Sequence, residues 1–276
     1  MNPEKRNVPL SMVIPRLLLA TSRDLPPALI RRVADGLFNL FYPESCIVCS
    51  APTSRVQDCG ICARCWQKAM HVRIAGPSCP LCGLPYRSFE NEPAHLCGPC
   101  TMRLPPYSGA RAFGCYSAEL SRMIQALKFD GRQDMAKLLA PLLASTFLES
   151  WSPTEMDLIV PVPLHPKRRR ERGYNQAALL GLALGRLIGL PCRDQILKRV
   201  RHTLPQVGLS DSERTHNVAH AFHCPKPAAI RGQRILLVDD VMTTGSTVAS
   251  ACEALLEGGA MRVSVLTVAR AVTGWE

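Results

Sequence analysis

The 276-residue chain has no run of 18 apolar residues, because the apolar stretch around Leu17, Leu18 and Leu19 is broken by Pro15 and Arg16. A membrane-spanning helix is therefore not expected. The same break, with Lys5 and Arg6 ahead of the leucines and no small-x-small site behind them, argues against a cleaved secretion leader. Aromatic residues are scarce, at 5%, which speaks against extensive stacking on nucleic-acid bases. No segment is of low complexity, and no internal repeat stands out beyond duplicated cysteine pairs. The chain reads as globular.

What is present points to a core and to anionic ligands. Hydrophobic residues make up 47% of the chain, enough to bury one large domain or two modest ones. The net charge is +11, and residues 159–234 hold fourteen Lys or Arg against four Asp or Glu, a local excess of ten. A basic region of that kind suits polyanions, either phosphate esters or nucleic acid, and charge alone does not choose between them.

The chain divides into three parts. In an N-terminal extension, residues 1–41, the three-to-four-residue spacing of Leu29, Ile30, Val33, Leu37 and Leu40 predicts an amphipathic helix over 26–41. Residues 42–106 are dense in Cys, Pro and Gly and have few long apolar runs, so something else must hold them. After Leu104-Pro105-Pro106 the pattern changes, and residues 107–276 alternate apolar strands with helical stretches. Strands are expected over 156–162, 234–238 and 263–269, and helices over 175–190 and 247–257, the last closed by Gly258-Gly259. This alternation predicts an α/β fold, a parallel sheet with helices on both faces.

Four C-x2-C pairs stand in series: Cys46 with Cys49, Cys62 with Cys65, Cys79 with Cys82, and Cys97 with Cys100. Two residues between thiolates let one tight turn present both sulfurs to a tetrahedral ion, and two such knuckles complete a structural zinc site. Eight ligands make two sites. Consecutive pairing is the simplest arrangement, an interleaved one stays open, and Cys59 competes for a place in the first site. His71 and His95 read as solvated, and Cys115, Cys192, Cys224 and Cys252 as isolated thiols. Four thiolates leave no open coordination position, so the metal is expected to stabilise structure. An odd total of thirteen cysteines, mostly in such pairs, suits metal in a reducing cytoplasm better than disulfides.

The most specific stretch is RILLVDDVMTTGSTV, residues 234–248, where a buried strand ends in two acids before small hydroxyl residues open a helix. The N–H groups of Thr244, Gly245, Ser246 and Thr247 can converge on a phosphate, and the hydroxyls of Thr243, Thr244 and Thr247 add donors. Asp239 and Asp240 stand where parallel sheets bind ligands, and carboxylates accept hydrogen bonds from ribose hydroxyls. The segment resembles the phosphoribosyl pyrophosphate motif of type I phosphoribosyltransferases. That resemblance implies that Asp239 and Asp240 hold the ribose and that residues 243–247 hold the 5-phosphate.

A second segment, IVPVPLHPKRRRERGYNQA (159–177), places Lys167, Arg168, Arg169, Arg170 and Arg172 just before a helix. Together with the cysteine pairs, LKFDG at 127–131 and LKRVRHTLPQVGLSDSERTHNV at 197–218, it resembles the ComF family over residues 40–270. The resemblance puts the pyrophosphate loop at Arg172, Gly173, Asn175 and Gln176, with Asp239, Asp240 and Arg172 as the catalytic set. It implies a double zinc ribbon followed by a domain that binds phosphoribosyl pyrophosphate with magnesium and transfers ribose 5-phosphate to an unidentified acceptor. Guanidinium groups there would stabilise the charge of the departing pyrophosphate. Residues 199–217, with Arg199, Gln206, Arg214 and Asn217, are expected to form a flap over the site. Family members are linked to natural competence, which implies a cytoplasmic protein working at the inner face of the membrane. Single-stranded DNA and proteins of the uptake machinery are then candidate partners. The alternative is a non-catalytic DNA-binding or adaptor protein that has kept the sugar-phosphate site.

Overall fold

The computed structural model describes residues 45–52, 60–86, 93–200 and 221–272. The helix expected over 26–41, Cys59, and Gln206, Arg214 and Asn217 of the expected flap lie outside these residues. The first described elements belong to the cysteine-rich stretch: α1 (Ala63–His71) and the short α2 (Gly98–Met102). There follow β1 (Gly109–Cys115), α3 (Ala118–Phe129), α4 (Met135–Ser150), β2 (Leu158–Pro161), α5 (Pro166–Arg172) and α6 (Gln176–Ile188). The chain continues through β3 (Lys198–Arg199), β4 (Phe222–His223), β5 (Arg234–Met242), α7 (Ser246–Glu257) and β6 (Arg262–Arg270).

The main sheet has the order β1-β6-β5-β2, and all three of its ladders are parallel. Its β2 strand and the Ile235–Val238 run of β5 are apolar and fully buried, as expected where both faces of a parallel sheet are covered. Side chains alternate across it. Leu236 and Val238 of β5 join Ile159 and Leu266 against α3, α4 and α6 on one face. Ile235 and Leu237 join Leu158, Val160, Val263 and Val265 against α7 and the small antiparallel β3–β4 ladder on the other.

The cysteine-rich stretch has no core of its own, as its composition implies, and divides between the two faces. Cys46, Ile61, Cys65 and Ala69 pack into the α3–α4 side. Cys79, Cys82 and Cys100 pack into the α7 side. Between them the chain runs along the outer edge of β1. Ile74 N donates to Phe113 O (2.9 Å), Cys115 N to Val72 O (2.8 Å) and Ala110 N to Leu81 O (2.6 Å). At this edge Gly114 is required, since a Cβ there would lie 2.8 Å from the Val72 carbonyl oxygen. The chain from Ser45 onward is one compact unit. Among the described residues no helix is long and apolar enough to cross a membrane.

One local expectation needs correction, and another gains detail. The β5 strand does not end at Val238; it runs to Met242, because pairing with β6 continues through Asp239 opposite Thr267 and Val241 opposite Ala269. The two acids therefore lie inside the strand. The basic run, expected just before a helix, does precede α6 and forms a short helix of its own, α5, with His165 as N-cap, Pro166 at the first helical position and left-handed Gly173 (φ 83°) ending it.

Candidate functional site

Asp239 and Asp240 are both buried near the carboxyl end of β5, and the Asp240 N–H donates to Asp239 Oδ1 at 2.9 Å. As neighbours in a strand they face opposite sides of the sheet. Each side brings a cation. From α3, Lys128 Nζ lies 2.7 Å from Asp240 Oδ1, while the charge of Arg199 on β3 is felt at Asp239. Burial and the adjacent Asp240 push Asp239 above the usual carboxylate range, with Lys128 and Arg199 opposing. Burial alone would lower the Lys128 pKa, but Asp240 and Asp239 override it and hold the ammonium above the ordinary lysine value.

Beyond Met242 the chain turns through Thr243, Thr244 and Gly245 into α7. Gly245 has φ 86°, which calls for glycine, and a Cβ there would lie 2.8 Å from the Met242 methyl and displace that side chain. Thr243 and Thr244 are exposed, Thr244 Oγ1 and Ser246 Oγ are 2.9 Å apart, and Thr247 is half-buried in the first turn. Exposed hydroxyls and the amino end of a twelve-residue helix thus form one shallow cradle.

The segment carrying Arg172, Gly173, Asn175 and Gln176 joins α5 to α6 near that end of the sheet. Arg172 donates to the buried Gln176 side chain, and its guanidinium lies 5.1 Å from the centre of the Phe129 ring. Asn175 caps α6 through Ala177 N and donates to Val162 O at 3.0 Å, which ties the turn to the end of β2. Tyr174 donates to the Leu127 carbonyl. Between α5 and the β3–β4 ladder opens a cavity of about 1030 Å³ that shares Gly173 and Asn175 with this segment. Arg169, Arg170, Lys198, Arg199 and Lys226 line it, against one described acid, Asp194.

Lys128, Leu127 and Phe129 had no site role in the sequence reading. Their signal was the LKFDG stretch, which carries family resemblance but no chemistry of its own until the fold sets it beside Asp240 and Arg172.

The eight paired cysteines gather into two tetrads, Cys46, Cys49, Cys62, Cys65 and Cys79, Cys82, Cys97, Cys100, each with its sulfurs within 4.8 Å of one another. The pairing is consecutive. His71 and His95 are exposed and outside both, and His95 lies against the Tyr86 ring. Zinc fits these sites by their chemistry. Backbone N–H groups point at the sulfurs, as from Cys62 N to Cys46 Sγ (3.4 Å). Against burial, which raises them, such N–H groups pull the thiol of Cys46 down to about 6 and that of Cys79 to about 7. Beside the second tetrad, Arg270 is buried, and its Nε and Nη1 meet no hydrogen-bond partner among the described residues. Burial raises Cys82 to about 11 while the Arg270 charge draws it down. A zinc ion with four thiolates keeps two negative charges, which is what such a guanidinium would offset. Cys115, Cys192, Cys224 and Cys252 belong to neither tetrad.

A parallel sheet with an acid pair, a glycine turn at a helix start and a double cysteine ribbon defines a phosphoribosyltransferase-type fold joined to a zinc ribbon. Family models agree: residues 37–101 match the double zinc ribbon domain and residues 167–276 the phosphoribosyl transferase domain. The chain is 36% identical to the DNA utilization protein YhgH of Salmonella typhi, over 84% of this chain and 99% of that one. It is 33% identical to competence protein F of Haemophilus influenzae, with the same coverage. Competence protein ComFC of Bacillus subtilis is 29% identical over 76% of this chain and 84% of its own length. The chain belongs to the ComF family.

Proposed function

We propose that this protein binds phosphoribosyl pyrophosphate and transfers its ribose 5-phosphate to an acceptor, in a cytoplasmic role in the uptake or use of DNA. The observation that carries this reading is the convergence of three features at the carboxyl end of one sheet: the buried acid pair, the Gly245 turn and the Arg172–Gln176 segment. Asp239 and Asp240 would accept hydrogen bonds from the ribose hydroxyls. The N–H groups and hydroxyls of residues 243–247 would hold the 5-phosphate. Arg172, positioned by Gln176 and Phe129, would face the pyrophosphate. During transfer the bond from the anomeric carbon to the pyrophosphate oxygen breaks, its electron pair leaves with that oxygen, and the acceptor atom bonds to the carbon. Cationic side chains aimed at the departing oxygens lower the barrier because charge grows there. Magnesium, entering with the diphosphate, would neutralise part of its charge.

The relatives' names support the DNA context, and the basic lining of the cavity beside α5 is in keeping with it. Its cations exceed its acids among the described lining residues, which suits a phosphate-bearing ligand. This also favours the second reading, a protein that binds single-stranded DNA and keeps the sugar-phosphate site without catalysis. The experiment is calorimetric titration with phosphoribosyl pyrophosphate and magnesium, with and without a short single-stranded DNA. Binding that is lost in Asp239→Asn with Asp240→Asn, at unchanged zinc content, is the expected result. Binding retained by that double variant would overturn the site. Binding of DNA alone, falling steeply with salt, would favour the second reading.

A further inference from the structure

The last turn of α3 touches both halves of the candidate site. The Leu127 carbonyl accepts the Tyr174 hydroxyl. The Phe129 ring, itself largely exposed, lies under the Arg172 guanidinium. Lys128, between them in sequence, pairs with Asp240. The end of this helix therefore sits where the acids meet the α5–α6 turn, and in a phosphoribosyl donor that is where the sugar meets its diphosphate.

Stability alone is a weak account of the lysine. A buried ion pair is often no better than a well-packed apolar pair of the same volume, and removing either partner leaves a charge stranded. Asp240 Oδ1 is taken by Lys128, while Oδ2 is buried and meets no hydrogen-bond partner among the described residues. The pair is thus incompletely satisfied as it stands, which marks a place that a ligand completes.

We infer that Lys128 is a third component of the sugar-phosphate site, which rests on Asp240 when the site is empty and takes a diphosphate oxygen of the donor when it is filled. This rests on the phosphoribosyl pyrophosphate reading above. A diphosphate carries more negative charge than one carboxylate and draws the ammonium off, which leaves Asp240 to a ribose hydroxyl. The four-carbon stem lets the charge swing between the two without moving the helix. Leu127 and Phe129 hold the α5–α6 turn in register with it.

The test compares the full-length wild type with Lys128→Met and Lys128→Arg. Calorimetry would use inorganic pyrophosphate, ribose 5-phosphate and phosphoribosyl pyrophosphate, each with magnesium, and zinc content and melting temperature would serve as controls of the fold. Lys128→Met should bind both diphosphates about ten- to a hundredfold more weakly, the loss expected for one charge-assisted hydrogen bond. Ribose 5-phosphate, which lacks the diphosphate, should bind within about threefold of wild type, and Lys128→Arg should recover most of the diphosphate affinity. Should the methionine variant fold poorly, Lys128→Gln carries the same comparison. Unchanged pyrophosphate binding, or an equal loss for all three ligands, would overturn the inference while leaving the donor site standing. If the wild type binds no phosphoribosyl pyrophosphate, the underlying reading fails and this one falls with it.

Discussion

The two cysteine tetrads look alike in sequence and sit in different surroundings. The first keeps Cys49 at the surface and packs against α3 and α4, on the face away from the phosphate cradle. The second buries Cys79, Cys82 and Cys100, and its neighbours lead directly to the site. Tyr107 packs in its cluster with Met242, and a Cβ on Gly245 would lie 3.7 Å from the Tyr107 hydroxyl. Arg270, across the strand pair from Met242, is close enough for its charge to act on Cys82. The same ligand spacing thus serves two ends: one tetrad braces the helical face, and the other supports the turn proposed to hold the 5-phosphate.

Removing one knuckle from each tetrad would break this comparison most directly. Cys79→Ser with Cys82→Ser should release one zinc, lower stability by roughly 5 kcal/mol or more, and abolish sugar-phosphate binding. Cys46→Ser with Cys49→Ser should also release one zinc, but the molecules that remain folded should bind the sugar phosphate as before. Metal analysis, thermal melting and calorimetry read these three quantities, and equal binding losses would erase the distinction. Arg270→Met comes next. Zinc release to a chelator should become about tenfold faster from one site only, as expected for loss of a charge that supports the ligands.

Gly245→Ala should leave both zinc ions in place and cost about 1–2 kcal/mol from the strained left-handed turn, with sugar-phosphate binding weakened by the displaced Met242 side chain. The smallest effect lies at the opposite end of β5, where Arg234 makes a forked contact with Asp157. Hydrogen bonds from Arg234 hold the Asp157 carboxyl at about 2. Because that value is depressed, the stability it gives is present above the ordinary carboxylate pKa and fades as pH falls toward 2. Melting of Asp157→Asn should therefore differ slightly from wild type at pH 7, and the difference should vanish in strong acid.

Much of this was legible in the sequence because it is local. Strand and helix periodicity places β2, β5, β6, α6 and α7 to within a few residues, and C-x2-C spacing names all eight sulfurs. The acid pair and the Gly245 turn are a contiguous string. The errors came where partners are distant. Nothing in RILLVDD says that β6 keeps pairing past Val238, so the acids looked terminal. The short helix over Arg168 to Arg172 leaves no periodic signal, because it is held by its ends, His165 and Gly173, rather than by an apolar stripe. Lys128 escaped notice because its partner Asp240 lies on a strand far along the chain, and only the stacking of α3 on the sheet brings them together.

The ribbon's hold on β1 has a practical side. A parallel sheet exposed along one margin offers its free amides and carbonyls to any passing strand, and such margins seed self-association. Here Val72, Ile74 and Leu81 occupy part of that margin. A shortened chain beginning at Tyr107 would leave it bare and would be expected to precipitate, so the cysteine-rich segment acts as a lifelong chaperone for the domain it precedes.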